Sequence, residues 1–351
     1  MSWQVGTYNG FNIFEPTPEI IPENQKSLDN ALSKNLQYVN DFGSPEKPEI
    51  SITGSYLQAH APDYVGGATL NWKKPQWQNL FEEMLSVNID TGVLQAAIWN
   101  ELQETYYPSS YFSSYRQWNV IPVMLEAAAE TGMKIALGGY GSVVGWTEML
   151  DDKAIKNEIQ RQTACLRELL QWRECFDILY FTPETAYSPQ IRSIEREKWM
   201  NKLYKEYFEK VKELAPEKCI MMSPASRFPA GHEEDFLDFW NVMLDGVPLD
   251  ILCPQDSIGC SICLLSEQDA MWRLWKTICT EHKIILWAHM ELFERRCFGG
   301  PAPFISAAPE RVLNQTKNLA PYIEKCICFE YPFFAREAEQ AEALRAKLFG
   351  R

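Results

Sequence analysis

Ile178-Leu179-Tyr180-Phe181-Thr182-Pro183-Glu184-Thr185 and Ile284-Ile285-Leu286-Trp287-Ala288-His289-Met290-Glu291 share one form: an apolar run closed by a single glutamate. A short run that is apolar at successive positions reads as a strand buried on both faces, the kind found in parallel sheets wrapped by helices. Working outward, strand and helix signals alternate from Glu49 to the end of the chain. Strands are expected at 50–57, 91–99, 134–137, 177–181, 219–223, 250–254, 284–289 and 326–329. The first helix opens at Pro75, a good first-turn residue, and carries Trp77, Leu80, Phe81, Met84 and Leu85 at helical spacing. The second spans 118–131 and stops at Gly132. Further helices are expected at 153–173, 194–214, 233–244, 267–281, 309–319 and 335–348. This alternation predicts an α/β chain folded as a (β/α)8 TIM barrel. A doubly wound sheet is the alternative, but no GxGxxG follows the first strand.

The 351 residues exceed the ~250 typical of such a barrel. Residues 1–48 show no clear period and end in Gly43-Ser44-Pro45-Glu46-Lys47-Pro48. They are expected to form an extension packed on the barrel, with residues 49–351 as the catalytic domain. Hydrophobic residues make up 46% of the chain, enough for a large core. The net charge of -14 argues against nucleic-acid and anionic-membrane partners, both of which need a basic face. No run approaches the ~18 apolar residues of a membrane span. Met1-Ser2-Trp3-Gln4-Val5 has no basic stretch leading into an apolar one, and the ten cysteines are scattered, several within apolar strands. A cytoplasmic enzyme is therefore expected. Oligomeric state is not legible.

In a parallel barrel the chemistry sits at the carboxyl ends of the strands. Those ends read Gln58, Trp99, Tyr140, Glu184, Ser223, Gln255 with Asp256, Glu291 and Glu330, and Trp287 and His289 lie within the seventh strand. Aromatic faces stack on sugar rings, and amides and carboxylates grip hydroxyl pairs. Gln58, Trp99, Tyr140, Gln255, Asp256, Trp287, His289 and Glu330 are thus candidate contacts for a small saccharide. Any one of the aromatics could equally serve to pack a loop. Glu184, beside Pro183 and aromatics, is placed to hold its proton as a general acid, and Glu291 to be its partner as nucleophile or base. Asp256, Glu294 and Glu330 stand as alternatives for the second carboxylate. No metal or cofactor is expected. Among His60, His232, His282 and His289 there is no HxH or HExxH spacing, and Cys260-x-x-Cys263 lacks a second pair. The tyrosine-rich stretch 101–115 suits a pocket better than an open groove.

Several of these segments resemble a known family. Gly54-Ser55-Tyr56-Leu57-Gln58, Asp90-Thr91-Gly92-Val93-Leu94-Gln95, Gly138-Gly139-Tyr140, Phe181-Thr182-Pro183-Glu184, Pro254-Gln255-Asp256-Ser257-Ile258-Gly259 and Trp287-Ala288-His289-Met290-Glu291 are similar to the DUF4434 group. These are mainly bacterial TIM-barrel proteins regarded as glycoside-hydrolase-like. The resemblance covers about 49–335. It implies an acid/base and a nucleophile on strands four and seven, at Glu184 and Glu291, and implies no substrate. Here Thr185 follows Glu184, so the acidic pair common at that point is missing. Glycoside hydrolysis is the leading expectation. Its rivals are a non-hydrolytic barrel enzyme on a sugar-derived substrate (isomerase, lyase or aldolase, with or without a metal) and an inactive carbohydrate-binding barrel. No lysine falls at a strand end, which weakens the Schiff-base version.

Overall fold

The computed structural model describes residues 3–8, 11–16, 21–60, 69–146, 150–188, 192–298 and 303–350. Eight parallel strands close into a barrel in chain order. They are Ile52–Leu57, Thr91–Leu94, Lys134–Gly138, Ile178–Phe181, Cys219–Met222, Ile251–Leu252, Ile285–Glu291 and Lys325–Phe329. The last pairs with the first, Ile327 opposite Gly54 and Cys328 opposite Ser55. Parallel neighbours need a long return path, and helices supply it. Lys74–Ser86, Val120–Thr131, Asp152–Leu169, Ile194–Leu214, Glu233–Leu244, Gln268–His282 and Pro309–Leu319 fill the seven gaps between strands. The expected (β/α)8 barrel is what forms.

Three expected elements differ in detail. The strand expected at 91–99 leaves the barrel after Leu94, and Ile98–Trp99 joins a separate four-stranded sheet with Glu104–Thr105, Arg116–Gln117 and Tyr140–Gly141. The helix expected at 335–348 begins only at Ala341 and runs Ala341–Phe349, after Gln340 in the left-handed region at φ 70°, and a separate short helix, Tyr331–Phe334, precedes the expected start. The featureless amino-terminal segment contains an antiparallel pair, Trp3–Tyr8 with Phe11–Pro16, and a helix, Ile21–Phe42. Parts of it, at 1–2, 9–10 and 17–20, lie outside the described residues. The helix seats on the barrel's outer layer. Leu265 N–H donates to Asn35 Oδ1 at 2.9 Å, and Asn314 Nδ2 donates to Gly43 O at 3.0 Å.

The core between helices and barrel is aromatic and supports the upper loops. Trp275 meets Phe236 and Trp240 with ring centroids 5.0 Å apart in each case. Its indole N–H donates to Ser226 Oγ at 3.1 Å, and Ser226 N–H donates to Ser257 Oγ at 3.3 Å. Burial of one tryptophan thus fixes the loops after strands five and six. A second tie is Glu168, on the third helix. Its carboxylate takes hydrogen bonds from Tyr107 Oη, Ser109 Oγ, Ser110 N, Ser110 Oγ and Tyr111 N, all within 2.6–3.0 Å. The long loop after strand two is pinned there.

At the amino end of the barrel, Asp90 accepts from Lys134 Nζ at 2.8 Å and Lys325 Nζ at 3.0 Å, linking strands two, three and eight. Burial alone would raise the Asp90 carboxyl, but donors from Lys134, Thr91 and Lys325 outweigh it and hold the group at about 2. A folded-state value below the ordinary ~3.9 stabilises the fold above pH ~4, and the gain is lost as pH falls toward 2. The Asp90 side chain is 39% exposed, so solvent screening keeps the gain to about 1 kcal/mol. Urea unfolding of Asp90→Asn should show a midpoint deficit at pH 7 that narrows between pH 4 and pH 2; a deficit independent of pH would remove the electrostatic explanation.

Candidate active site

Glu184 stands three residues beyond the fourth strand on backbone held from both sides. Thr182 Oγ1 donates to Gln95 O at 2.8 Å, and Ala225 N–H donates to Thr185 O at 3.0 Å. On the other flank Thr185 Oγ1 donates to Gly145 O at 3.0 Å. A Cβ on Gly145 would lie 1.8 Å from Glu184 O, so only glycine permits this approach. The side chain keeps some solvent contact although protein surrounds it. Gln255 Nε2 donates to its Oε1 at 2.9 Å. Burial pushes the carboxyl up to about 7, against the opposing pull of that hydrogen bond.

Glu291 ends the seventh strand and is 3% exposed. Its Oε2 accepts Cys260 N–H at 2.9 Å from the loop after strand six. That loop also approaches through a glycine: a Cβ on Gly259 would fall 2.3 Å from Phe293 O and 2.9 Å from Glu291 Oε2. Burial, then the neighbouring charge of Asp256, raises the proton affinity of Glu291. The Cys260 thiol lies against Glu291.

Gln255 and Asp256 join the two halves. Successive side chains of extended backbone point to opposite sides. Gln255 faces Glu184. Asp256 faces away, fully buried, and accepts Glu291 N–H at 3.2 Å. The expected sugar contact at Asp256 is therefore corrected: its carboxylate is spent on backbone N–H groups and on Gln315 Nε2.

Deeper in the barrel mouth, His289 stacks on Tyr56 at 4.2 Å and lies over Phe329 at 5.6 Å. Its Nδ1 is 2.9 Å from Ser223 Oγ. Burial lowers its pKa to about 3, so the ring is neutral at ordinary pH. Gln58 Nε2 donates to Glu330 Oε1 at 2.8 Å, which brings the ends of strands one and eight together. Glu294 turns outward toward Arg311, with Oε2 3.8 Å from Nε.

Two expected sugar contacts are placed elsewhere. Tyr140 is fully buried. Its hydroxyl donates to Asn100 Oδ1 at 2.7 Å and accepts from Arg161 Nη1 at 2.8 Å, under a stacked Phe112 ring. It packs the loops after strands two and three onto the third helix. Trp287 sits near the opposite end of the barrel, opposite Lys325 in register and 5.4 Å from its Nζ. Trp99 lies at the rim, mostly buried, its ring closing on Gly141, where a Cβ would come within 2.6 Å.

Tyr56, Tyr180, Cys260, Gly145, Gly259 and Arg311 also shape this end of the barrel and were not among the expected residues. The signal for the tyrosines was a polar tip inside an apolar run, which places a hydroxyl in the barrel interior. The glycines had none, because their need arises only when two loops touch. Among the described residues no group of three or more His, Cys, Asp or Glu side chains is placed to share a metal ion, and Cys260 and Cys263 are free thiols. No described helix is long and apolar enough to cross a membrane.

Closed parallel strands, with Glu184, Glu291 and Glu330 at or just beyond the carboxyl ends of the fourth, seventh and eighth, define a (β/α)8 barrel. The chain belongs to the family described as domain of unknown function DUF4434, whose pattern matches residues 52–341. Comparison with curated proteins finds no match. Among solved structures, a protein from Bacteroides thetaiotaomicron VPI-5482, described as a candidate alpha-L-fucosidase, superposes with a TM-score of 0.66 at 20% identity, covering 85% of this chain and 92% of that one. A GH113 beta-1,4-mannanase superposes with a TM-score of 0.53 at 9% identity, covering 86% of this chain and 100% of that one. At these identities the likeness is one of fold.

The glycine contacts make a direct prediction. Gly145→Ala should displace Glu184, and Gly259→Ala should displace Glu291, each at a cost of ~1–3 kcal/mol from overpacking. Denaturant unfolding and crystal structures of the two variants test this. Unchanged stability with unmoved glutamates would show that these loops yield freely.

Proposed function

We propose that this protein is a glycoside hydrolase acting on a short saccharide through two carboxylates. The observation that carries the proposal is Glu184: a carboxyl at the mouth of the barrel, held by the Gln255 amide, with its pKa raised to about 7 by burial. A carboxylic acid that keeps its proton near neutrality can protonate a leaving glycosidic oxygen. Glu291 is assigned as its partner, attacking the anomeric carbon directly at a retaining separation or activating water at an inverting one. Gln58, Glu330, His289 and Trp99 are assigned to sugar contacts around this pair. The barrel shared with a candidate fucosidase and a mannanase agrees with this chemistry and supplies no sugar identity.

Both carboxylates bind protons more tightly than ordinary ones, which shapes the pH response. Glu184 must be protonated and begins to lose that proton above about 7, so activity peaks where its protonated form overlaps with ionised Glu291, just above neutrality, and falls on either side. Glu291 must be ionised, and its raised proton affinity moves the acidic limb upward. A narrow bell near neutrality follows, rather than one centred near pH 5.

A panel of aryl glycosides carrying fucosyl, mannosyl, galactosyl, glucosyl and uronosyl groups tests the assignment. Glu184→Gln and Glu291→Gln should each lower kcat on an accepted substrate by roughly 10²–10⁴-fold with Tm preserved. Turnover within a few-fold of wild type in both variants would refute it.

A further inference from the structure

We propose that Asp256 is a positioning residue for this reaction: it fixes the end of the seventh strand, and its buried carboxylate, bonded to the Glu291 backbone N–H, disfavours ionisation of Glu291. The inference rests on the glycoside-hydrolase assignment for its catalytic meaning, but its geometry stands apart from any substrate. Asp256 has no exposed surface. Its own N–H donates to His289 O at 2.9 Å, and its Oδ1 accepts Glu291 N–H at 3.2 Å and Ile258 N–H at 3.4 Å. Its Oδ2 accepts Gln315 Nε2 from the helix Pro309–Leu319. One side chain thus ties strand six, strand seven, the loop between them and the helix behind.

The charges around the pair do not balance if both carboxylates are ionised. Arg311, buried on the same helix, donates through Nη2 to Glu291 O at 3.3 Å and Phe293 O at 2.6 Å, and it also faces Glu294. It is the cation set against Asp256, Glu291 and Glu294 together. The remaining titratable groups around the pair are Cys260 against Glu291, Cys263 and Cys326 toward Asp256, and the buried Arg295, which acts on the Cys260 thiol and whose backbone N–H donates to Gly259 O. With the Asp256 carboxylate bonded to the Glu291 backbone N–H, the two buried acids do not readily ionise together in low dielectric, and one of them keeps its proton.

Hydrogen bonding decides where that proton resides. Asp256 has three donors converging on its carboxylate, one of them a side-chain amide, which suits the anion. Glu291 draws on backbone donors of the Gly259-Cys260 turn and on the weak Cys260 thiol donor, with no side-chain amide among them. In the resting enzyme the proton therefore sits on Glu291, and Glu291 must release it to act as nucleophile or base.

Asp256→Asn is the test. The introduced amide can still accept Glu291 N–H, and it can donate to Gln315 Oε1, which has no partner in the wild type, once Gln315 flips. With an accepted aryl glycoside, the acidic limb of kcat/KM should move down by about one pH unit or more as the like charge is removed. A purely structural role would lower kcat and leave the limb in place, and that result would overturn the proposal. Carbon NMR of protein labelled at the glutamate carboxyls, with Glu291 assigned by Glu291→Gln, reads the same quantity without substrate. Glu291 should be protonated at pH 7 in wild type and titrate lower in Asp256→Asn. A wild-type Glu291 ionised at pH 7 with an ordinary midpoint would overturn the proposal even if the variant failed to fold. Absence of hydrolysis across the glycoside panel, with the NMR behaviour as expected, would count against the hydrolase assignment alone.

Discussion

The carboxyl end of the barrel is organised around one dipeptide whose two side chains point opposite ways. Gln255 reaches into the mouth and holds Glu184, while Asp256 reaches outward and holds the backbone of Glu291. Extended geometry enforces the alternation, so the two tasks cannot drift apart without a change of register. The sixth strand is only two residues long in the barrel, Ile251–Leu252. Its register beyond that point depends on hydrogen bonds such as Asp256 N–H to His289 O, not on a long ladder. A short strand with a strongly bonded end lets one element serve as brace for two neighbours.

The brace is costly in isolation. Asp256, Glu291 and Arg311 are all removed from water, and burying charge is unfavourable unless every group is bonded. Arg311 meets this in part through two backbone carbonyls, and Asp256 through three donors. What the cluster gives in return is definition. An apolar replacement could pack the same volume but could not bond Glu291 N–H and Gln315 at once. Gly145 and Gly259 extend the same principle by contact: each lets a neighbouring loop touch the glutamate it supports closely enough to leave no room for a side chain.

Much of this was legible before any coordinates. Alternating apolar runs and amphipathic stretches gave the eight units, because parallel strands buried on both faces leave a continuous apolar imprint. Glu184 and Glu291 stood out because each interrupts such an imprint at the end where a barrel exposes polar groups. Tyr140, Trp287 and Asp256 were legible as strand-end residues, but not in direction. Tyr140 lies beyond Gly138-Gly139, where the chain turns from the barrel into the accessory sheet, and its ring follows that sheet to the third helix. Trp287 shares its inward parity with His289 but lies one layer lower, beside Lys325. The amino-terminal helix Ile21–Phe42 was missed because its stripe is thin: Leu28, Ala31 and Asn35 are buried while Leu36 and Phe42 stay exposed.

Glu168 gathers its donors from the loop after strand two, yet it belongs to an outer helix and touches neither glutamate's supports. The loop after strand two is therefore anchored independently of the brace at Gln255-Asp256. Changes in 107–111 can reshape this loop on the third helix while Glu184 and Glu291 stay where strand six and the two glycines put them. Loop and brace are thus separate joints of one chain, and loosening one leaves the bonds of the other intact.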